Sequence, residues 1–173
     1  MAFLASKKRI GQQRGMTLLE ILLYVSISAA VIFAASAVLS TVYEIKQKGK
    51  TIQTVEEEGN LLAYTIDRYI QSASIVFSPN KLSESDQLFI KIIVNNKESD
   101  VVLSLVDGVL YNQTDGGKKI ALSSSDVVVS DLKFTYLGPT EKGFLRYSFT
   151  VSGVDKSGRN EYKKTFSSGA SLR

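Results

Sequence analysis

Glu20 is the side chain in this sequence that most needs a partner of opposite charge. It lies near the start of a long apolar run that follows a cluster of bases. An ionisable group at membrane depth is costly and usually has a partner of opposite charge. The chain contains no histidine and no cysteine, which excludes the usual hydrolytic triads, thiolate catalysis and zinc–thiolate sites. The sequence therefore predicts a non-enzymatic protein with no catalytic residue, no metal site and no cofactor.

Two pairs of acids deserve a test as calcium ligands: Glu84 with Asp86, and Glu98 with Asp100. Carboxylate oxygens are ligands that calcium prefers in proteins. Neither pair lies in a loop with the density of acids that a calcium site needs, so we interpret all four side chains as solvated loop acids.

Three further polar features have plain interpretations. The run Ser123–Ser125 is typical of a loop. Lys163 and Lys164 are predicted on the wet side of an edge strand, where lysine discourages unwanted strand pairing. No basic-aromatic patch supports a nucleic-acid partner.

The positive charge of the chain is concentrated before the apolar run. The formal net charge is +4, and the rest of the chain is balanced once the four bases at the N-terminus, Lys7, Lys8, Arg9 and Arg14, are set aside. Short basic segments next to a membrane helix stay on the cytoplasmic side. The pattern therefore predicts a topology signal and argues against a basic nucleic-acid face.

Residues 21–43 carry no formal charge, and we call them the span. As a helix they extend about 35 Å at 1.5 Å per residue, enough to cross the roughly 30 Å hydrocarbon core. Apolar residues then recur in steps of three and four, which predicts an amphipathic continuation of the same helix. This stripe contains Ile52, Val55, Gly59, Leu62, Ile66, Tyr69 or Ile70, Ala73 and Phe77. Ser78-Pro79-Asn80 is predicted to end it.

Strand patterns fill the rest of the chain, with Asn95–Glu98, Asp107-Gly108, Asp115–Gly117 and Ser157-Gly158 as turn signals. The predicted strands are 87–95, 100–106, 109–113, 118–122, 126–137, 144–153 and 160–166. Short connections favour antiparallel pairing, and a sheet with one apolar face needs a cover. The sequence therefore predicts an α+β fold in which the amphipathic half of a long N-terminal helix packs on an antiparallel β-sheet head.

Three explanations of Glu20 compete at this stage. The first is a cleaved secretory signal, since Ala35-Ser36-Ala37 has the small-residue pattern of a cleavage site. The second is a signal-anchor helix with an incidental acid, which predicts a monomeric extracytoplasmic binding protein with a β-rich head. In the third, the acid is functional and meets a partner.

The segment Gly15-Met16-Thr17-Leu18-Leu19-Glu20, preceded by a basic leader, resembles the cleavage and methylation motif of type IV prepilins and type II secretion pseudopilins. The resemblance implies that a membrane prepilin peptidase cuts between Gly15 and Met16 and methylates the new amine. Glu20 is then the fifth mature residue, whose carboxylate neutralises the N-terminal ammonium of a neighbouring subunit. Breaking such a buried pair leaves a lone charge, at a cost of about 3–5 kcal/mol, so the pair mainly fixes subunit register.

The resemblance also implies a domain organisation, a location and a set of partners. The domains are a leader at 1–15, a transmembrane and filament-core helix at 16–43, an amphipathic half at 44–78 and a β-rich head at 79–173. The chain is expected to cross the bacterial cytoplasmic membrane once, with its leader in the cytoplasm, and then to join an extracytoplasmic filament. Its expected partners are other pilins or pseudopilins, the prepilin peptidase, the inner-membrane assembly platform and membrane lipid.

The sequence departs from the commonest pilin pattern in three ways. Met16 replaces the usual phenylalanine, the span has neither proline nor glycine, and the C-terminal disulfide loop of many major pilins is impossible without cysteine. The order of strands near the C-terminus is similar to that of the J-like minor pseudopilins and the corresponding minor pilins. These features predict a minor subunit, with a role in priming assembly at the filament tip.

Overall fold

A computed structural model of the chain describes residues 17–80, 83–94, 97–137, 143–154 and 161–172. Within these ranges the helical part is α1, Leu18–Ser72, which contains no proline. The chain divides into two compact units, one ending at Glu44 and the other beginning at Ile45. The first unit carries the apolar beginning of α1, and the second carries the rest of α1 and the strands.

The second half of α1 has a buried stripe at helical spacing. Its members are Val55, Gly59, Leu62, Ile66 and Ile70, which follow one another at intervals of three or four residues. That spacing keeps side chains on one face of an α-helix. The amphipathic continuation predicted from the sequence is confirmed for these five positions.

Nine strands follow α1 in the described residues, each pairing with its neighbours in antiparallel fashion. Their bounds are β1 Ala73–Ser78, β2 Glu84–Ser85, β3 Gln87–Val94, β4 Lys97–Val106, β5 Val109–Thr114, β6 Ile120–Ala121, β7 Val128–Leu137, β8 Phe144–Val154 and β9 Glu161–Ser171. Sheet A has the order β1-β3-β4-β5-β6, and sheet B has the order β2-β7-β8-β9.

Both sheets turn one face towards the buried stripe of α1. In sheet B the alternating residues Phe134, Leu145, Tyr147 and Phe149 are buried. In sheet A the matching positions include Leu88, Ile90, Val101, Leu103 and Leu110. Successive strand residues point to opposite faces, so each strand offers only every second side chain to this core. The predicted α+β fold, a long helix packed on antiparallel strands, is confirmed, but the strands form two sheets where a single one was predicted.

The predicted end of the helix is wrong. The sequence pattern extended α1 to Phe77, whereas residues 73–78 form β1 and pair with β3, for example Val76 with Ile90. Ala73 keeps its predicted burial, but Phe77 is 43% exposed. The β-branched pair Ile75-Val76 favours a strand, and backbone pairing with β3 outweighs the weak continuation of the helical pattern. The amphipathic half predicted at 44–78 therefore ends at Ser72.

The turn and strand predictions have mixed outcomes. Asp107 and Gly108 have positive φ angles of 49° and 77°, which matches the tight hairpin turn predicted between β4 and β5. The loop predicted before residue 87 contains the short strand β2, and β9 continues to Ser171 beyond its predicted end at 166. The turn predicted at Ser157-Gly158 lies outside the described residues.

Candidate functional site

The start of α1 is stabilised by a threonine cap. Thr17 precedes the helix, its carbonyl accepts from the Ile21 N–H at 3.2 Å, and its hydroxyl accepts from the Glu20 N–H at 3.3 Å. A Thr followed three residues later by Glu is the capping-box arrangement, which satisfies N–H groups that have no partner inside the helix. Thr17 therefore caps the helix start through its own hydroxyl and carbonyl, and the Thr-Leu-Leu-Glu spacing was a signal for this cap that sequence reasoning missed.

Among the residues that the structure describes, the Glu20 carboxylate accepts from one donor. The Tyr24 hydroxyl, one turn further along α1, lies 3.5 Å from Glu20 Oε1, a long hydrogen bond. No ion pair joins Glu20 to a basic side chain in the part of the chain that the structure describes. The partly exposed carboxylate thus keeps acceptor capacity for a donor from outside the described chain.

The span presents apolar side chains on every side of the helix. Leu22, Val31, Phe33 and Leu39 are all more than half exposed, Phe33 at 79%. By length and hydropathy α1 is able to span a membrane; its most apolar 18-residue window has a mean hydropathy of 2.3. A single-pass membrane anchor is therefore compatible with the observed helix.

Four hydroxyl groups in the span form hydrogen bonds within the helix itself. Ser26, Ser36, Ser40 and Thr41 each donate to the carbonyl four residues earlier, at 2.8 to 3.2 Å. Such bonds remove the cost of placing a hydroxyl in apolar surroundings. These four hydroxyls are thus compatible with lipid or with packed neighbouring helices, whereas the Glu20 carboxylate, just before the span, carries a charge.

A polar contact in the second unit holds α1 to sheet B. The buried Tyr147 hydroxyl of β8 lies 2.8 Å from the Ala63 carbonyl and 2.9 Å from Asp67 Oδ1. Burial raises the pKa of Tyr147, and the adjacent Asp67 carboxylate raises it further. The hydroxyl therefore remains protonated and acts as a donor to α1.

A second contact holds α1 to β9, the edge strand of sheet B. The Lys164 ammonium lies 2.7 Å from Glu56 Oε1, and this hydrogen bond lowers the pKa of Glu56. Next to it the ring of Phe166 fills the space above Gly59, where an added Cβ would lie 2.0 Å from a ring atom.

Lys164 was predicted to point into solvent, and that prediction is wrong. Lys163 is exposed and forms an ion pair with Glu161, so it fits the prediction.

The acids weighed as calcium ligands do not gather into a site. Glu98 forms an ion pair with Lys91 at 2.8 Å, and that hydrogen bond raises the pKa of Lys91. Glu84 lies 3.9 Å from the Lys133 ammonium. Among the residues that the structure describes, no group of three potential ligands is close enough to hold a metal ion.

The serine run has a structural role in the loop before β7. The buried Ser123 hydroxyl accepts from the Leu110 N–H at 3.2 Å, and the Ser124 N–H donates to Glu58 on α1 at 3.4 Å. These bonds connect the loop to β5 and to the helix. Its interpretation as a loop is confirmed.

The processing residues predicted from the sequence lie outside the described residues. These are Gly15, Met16 and the leader bases Lys7, Lys8, Arg9 and Arg14. Comparisons with protein-family models, curated proteins and solved structures found no match to this chain. The cleavage and methylation motif therefore stays a prediction from its residues.

Proposed function

We propose that the chain is a minor pilin or pseudopilin, a structural subunit that assembles through α1 into a type IV pilus-like filament. The observation that carries this proposal is the beginning of α1. A capped helix start with one carboxylate, Glu20, leads directly into an uncharged and exposed span. Such a surface needs either lipid or other apolar helices around it. A filament subunit is surrounded first by lipid, in the membrane, and then by the helices of other subunits, in the filament.

The proposed route begins in the bacterial cytoplasmic membrane. The basic leader keeps the N-terminus in the cytoplasm, and the span crosses the membrane once. The prepilin peptidase then cuts between Gly15 and Met16 and methylates the new amine. After cleavage Glu20 is the fifth residue of the mature chain, so its carboxylate lies near the N-terminal end of α1.

Charge explains why the helix start favours assembly with other copies or related subunits. The N-terminus of a helix carries a partial positive charge, and the mature chain adds a full ammonium there. In apolar surroundings an unpaired charge costs several kcal/mol. The Glu20 carboxylate of one subunit can pair with the ammonium of another and remove this cost. The pair forms only when the two helices have one particular axial register, so every other register leaves the charges unpaired.

The head supplies the surface of the filament in this proposal. Its strand order supports a J-like minor subunit that primes assembly at the tip with other pilins and with the inner-membrane assembly platform. The protein acts as a structural subunit and not as an enzyme.

The proposal is tested by mass spectrometry of the N-terminus after coexpression with a prepilin peptidase. We expect a chain that begins at N-methylated Met16. Gly15→Leu should abolish cleavage, because the side chain blocks the close approach of a protease to the backbone. Gly11→Leu, at a glycine inside the leader, is the matched control and should leave cleavage unchanged.

Two other results contradict the proposal and identify a rival. An intact leader in the presence of active peptidase supports the signal-anchored monomeric binding protein. A chain that begins after the Ala35-Ser36-Ala37 segment supports a cleaved secretory signal.

A further inference from the structure

Sheet B carries a shallow cavity of about 220 Å³ on the face that points away from α1. It is lined mainly by side chains of β7 and β8 that alternate with the buried core residues, together with Glu84 of β2. This volume is below the roughly 300–1,000 Å³ of pockets that take drug-sized ligands. The cavity therefore suits one small group and not a large molecule.

Four donors lie at the corners of a square on this face. Lys133 pairs across the strands with Ser148, and Thr135 pairs with Arg146. Because each pair joins one cation to one hydroxyl, the two cations occupy one diagonal and the two hydroxyls the other. Directly opposed residues have Cβ atoms about 4.5–5.5 Å apart. A tetrahedral oxyanion presents three or four oxygen atoms to such a set, and the Arg fork is suited to two of them.

The two cations have free capacity for an anion. Glu84 is 3.9 Å from the Lys133 ammonium, and both side chains are almost two-thirds exposed, so this ion pair is weak. The Arg146 guanidinium has no carboxylate within ion-pairing distance among the described residues. One acid against two cations leaves the cavity with a net positive charge.

An apolar ledge, formed by Leu137 and Phe144, borders the four donors. These two residues pair across β7 and β8 in the row next to Thr135 and Arg146, and each is 43% exposed. The Phe144 ring lies over Gly169 of β9, where an added Cβ would be 2.5 Å from a ring atom. The ledge offers an apolar contact to whatever the oxyanion is attached to.

We propose that this cavity binds the phosphoryl group of a phosphate monoester, with the organic part of the ester on the apolar ledge. Lys133 and Arg146 neutralise the phosphoryl oxygens, and the Thr135 and Ser148 hydroxyls donate to them. Glu84 opposes binding and keeps affinity low. The site lies wholly in the head and goes beyond the proposed assembly role.

The test is a titration of the full chain in detergent micelles with phenyl phosphate and with inorganic phosphate, followed by backbone amide NMR shifts. We expect saturable shifts confined to residues 133–137 and 144–148, and tighter binding of phenyl phosphate than of inorganic phosphate. Equal affinities would show that free phosphate is the ligand, which overturns the assignment of the ledge. An absence of saturable shifts at millimolar concentrations overturns the site itself.

Substitutions give the proposal a sign test. Lys133→Gln and Arg146→Gln should each weaken phenyl phosphate binding about tenfold or more, since each removes a charge-assisted hydrogen bond. Glu84→Gln should tighten it about threefold because the repulsion is lost. Lys97→Gln and Glu57→Gln make the same charge changes at exposed positions of β4 and α1, and should change affinity less than about twofold. If the control variants change phenyl phosphate affinity as much as the cavity variants do, binding depends only on general charge attraction, and the proposal is overturned.

Discussion

Phe33 and Phe149 place the same side chain in opposite surroundings. Phe33, in the span, is 79% exposed, whereas Phe149, in β8, is 0% exposed and stacks between the rings of Tyr147 and Phe166. The second unit has a core of buried apolar side chains within its own fold. The apolar window of the span is not buried among the described residues, and such a surface is compatible with lipid or with other apolar helices around it.

Polar groups show the same difference between the two regions. Hydroxyls in the span bond to carbonyls of their own helix, such as Ser36 to Ile32. In the second unit some hydroxyls do the same, such as Thr65 to Leu61. Others connect elements that are distant in sequence: the Tyr147 hydroxyl donates to Asp67, and the Tyr69 hydroxyl accepts from Asn112. The hydroxyls of the span therefore suit apolar surroundings, and the second unit is stabilised by contacts between its own elements.

The matched phenylalanines provide the largest expected effect. Phe149→Ala should lower the free energy of unfolding of the head by about 3–5 kcal/mol, since it leaves a cavity in the core. Phe33→Ala should leave it unchanged, because the ring lies in the span and is largely exposed. Urea unfolding in detergent, followed by near-ultraviolet circular dichroism of the tyrosines, measures both. Equal losses would contradict the division into a self-sufficient unit and a span.

Gly59 is a position on α1 where the ring of Phe166 from β9 packs against the helix backbone. Gly59→Ala should cost about 2–3 kcal/mol of unfolding free energy, because its methyl group overlaps the ring of Phe166. Phe166→Leu in the same chain should recover part of that loss by making room. Gly49→Ala is the matched control, since an added Cβ there meets nothing within 4 Å; it should be neutral or slightly stabilising. A double variant no more stable than expected from additive losses would contradict the assigned contact.

The Tyr147 hydroxyl sharpens the comparison of polar groups. Tyr147→Phe should lower the free energy of unfolding by about 1–2 kcal/mol, since Ala63 and Asp67 lose a buried donor. Tyr24→Phe removes a hydroxyl from the span and should leave the unfolding of the head unchanged. The same urea titration measures both variants, and a Tyr147→Phe head as stable as wild type would refute the role of this contact.

The smallest effect is a pH dependence from Glu56. Its pKa is lowered in the folded chain, chiefly by the Lys164 hydrogen bond. The contribution of this contact is therefore fully present above the ordinary glutamate pKa of about 4.3 and is lost as the pH falls through the lowered folded value. Melting temperatures between neutral pH and about pH 3 should fall less steeply for Glu56→Gln than for wild type. Identical slopes would show that the contact adds no pH-dependent stability.

The sequence predicted β7 and the turn between β4 and β5 well because their signals are local. Leu132, Phe134 and Tyr136 alternate in β7, and all three are buried. Asp107-Gly108 has the turn chemistry that joins β4 to β5. Each of these signals lies within a few residues of the structure that it predicts.

The misses depend on contacts between distant parts of the chain. Ala73–Ser78 continues the helical spacing of α1, and only pairing with β3 decides in favour of a strand. Lys164 points inward because it shares a face of β9 with Phe166, opposite Glu56 on α1. The cavity on sheet B needs the registers of β2, β7 and β8 together. The capping role of Thr17 was available from its spacing to Glu20 and was overlooked.

The central claim is that the charge of Glu20 acts between subunits. Glu20→Gln tests it most directly, since it removes the charge while the Thr17 cap, which binds the backbone N–H of residue 20, stays in place. The measurement is the amount of each variant in sheared filaments, in cells that carry the complete assembly system, with N-terminal processing checked by mass spectrometry. We expect Glu20→Gln to be processed normally and to incorporate as poorly as Glu20→Ala. Normal incorporation of Glu20→Gln would show that the charge of Glu20 is not needed between subunits and would contradict the account.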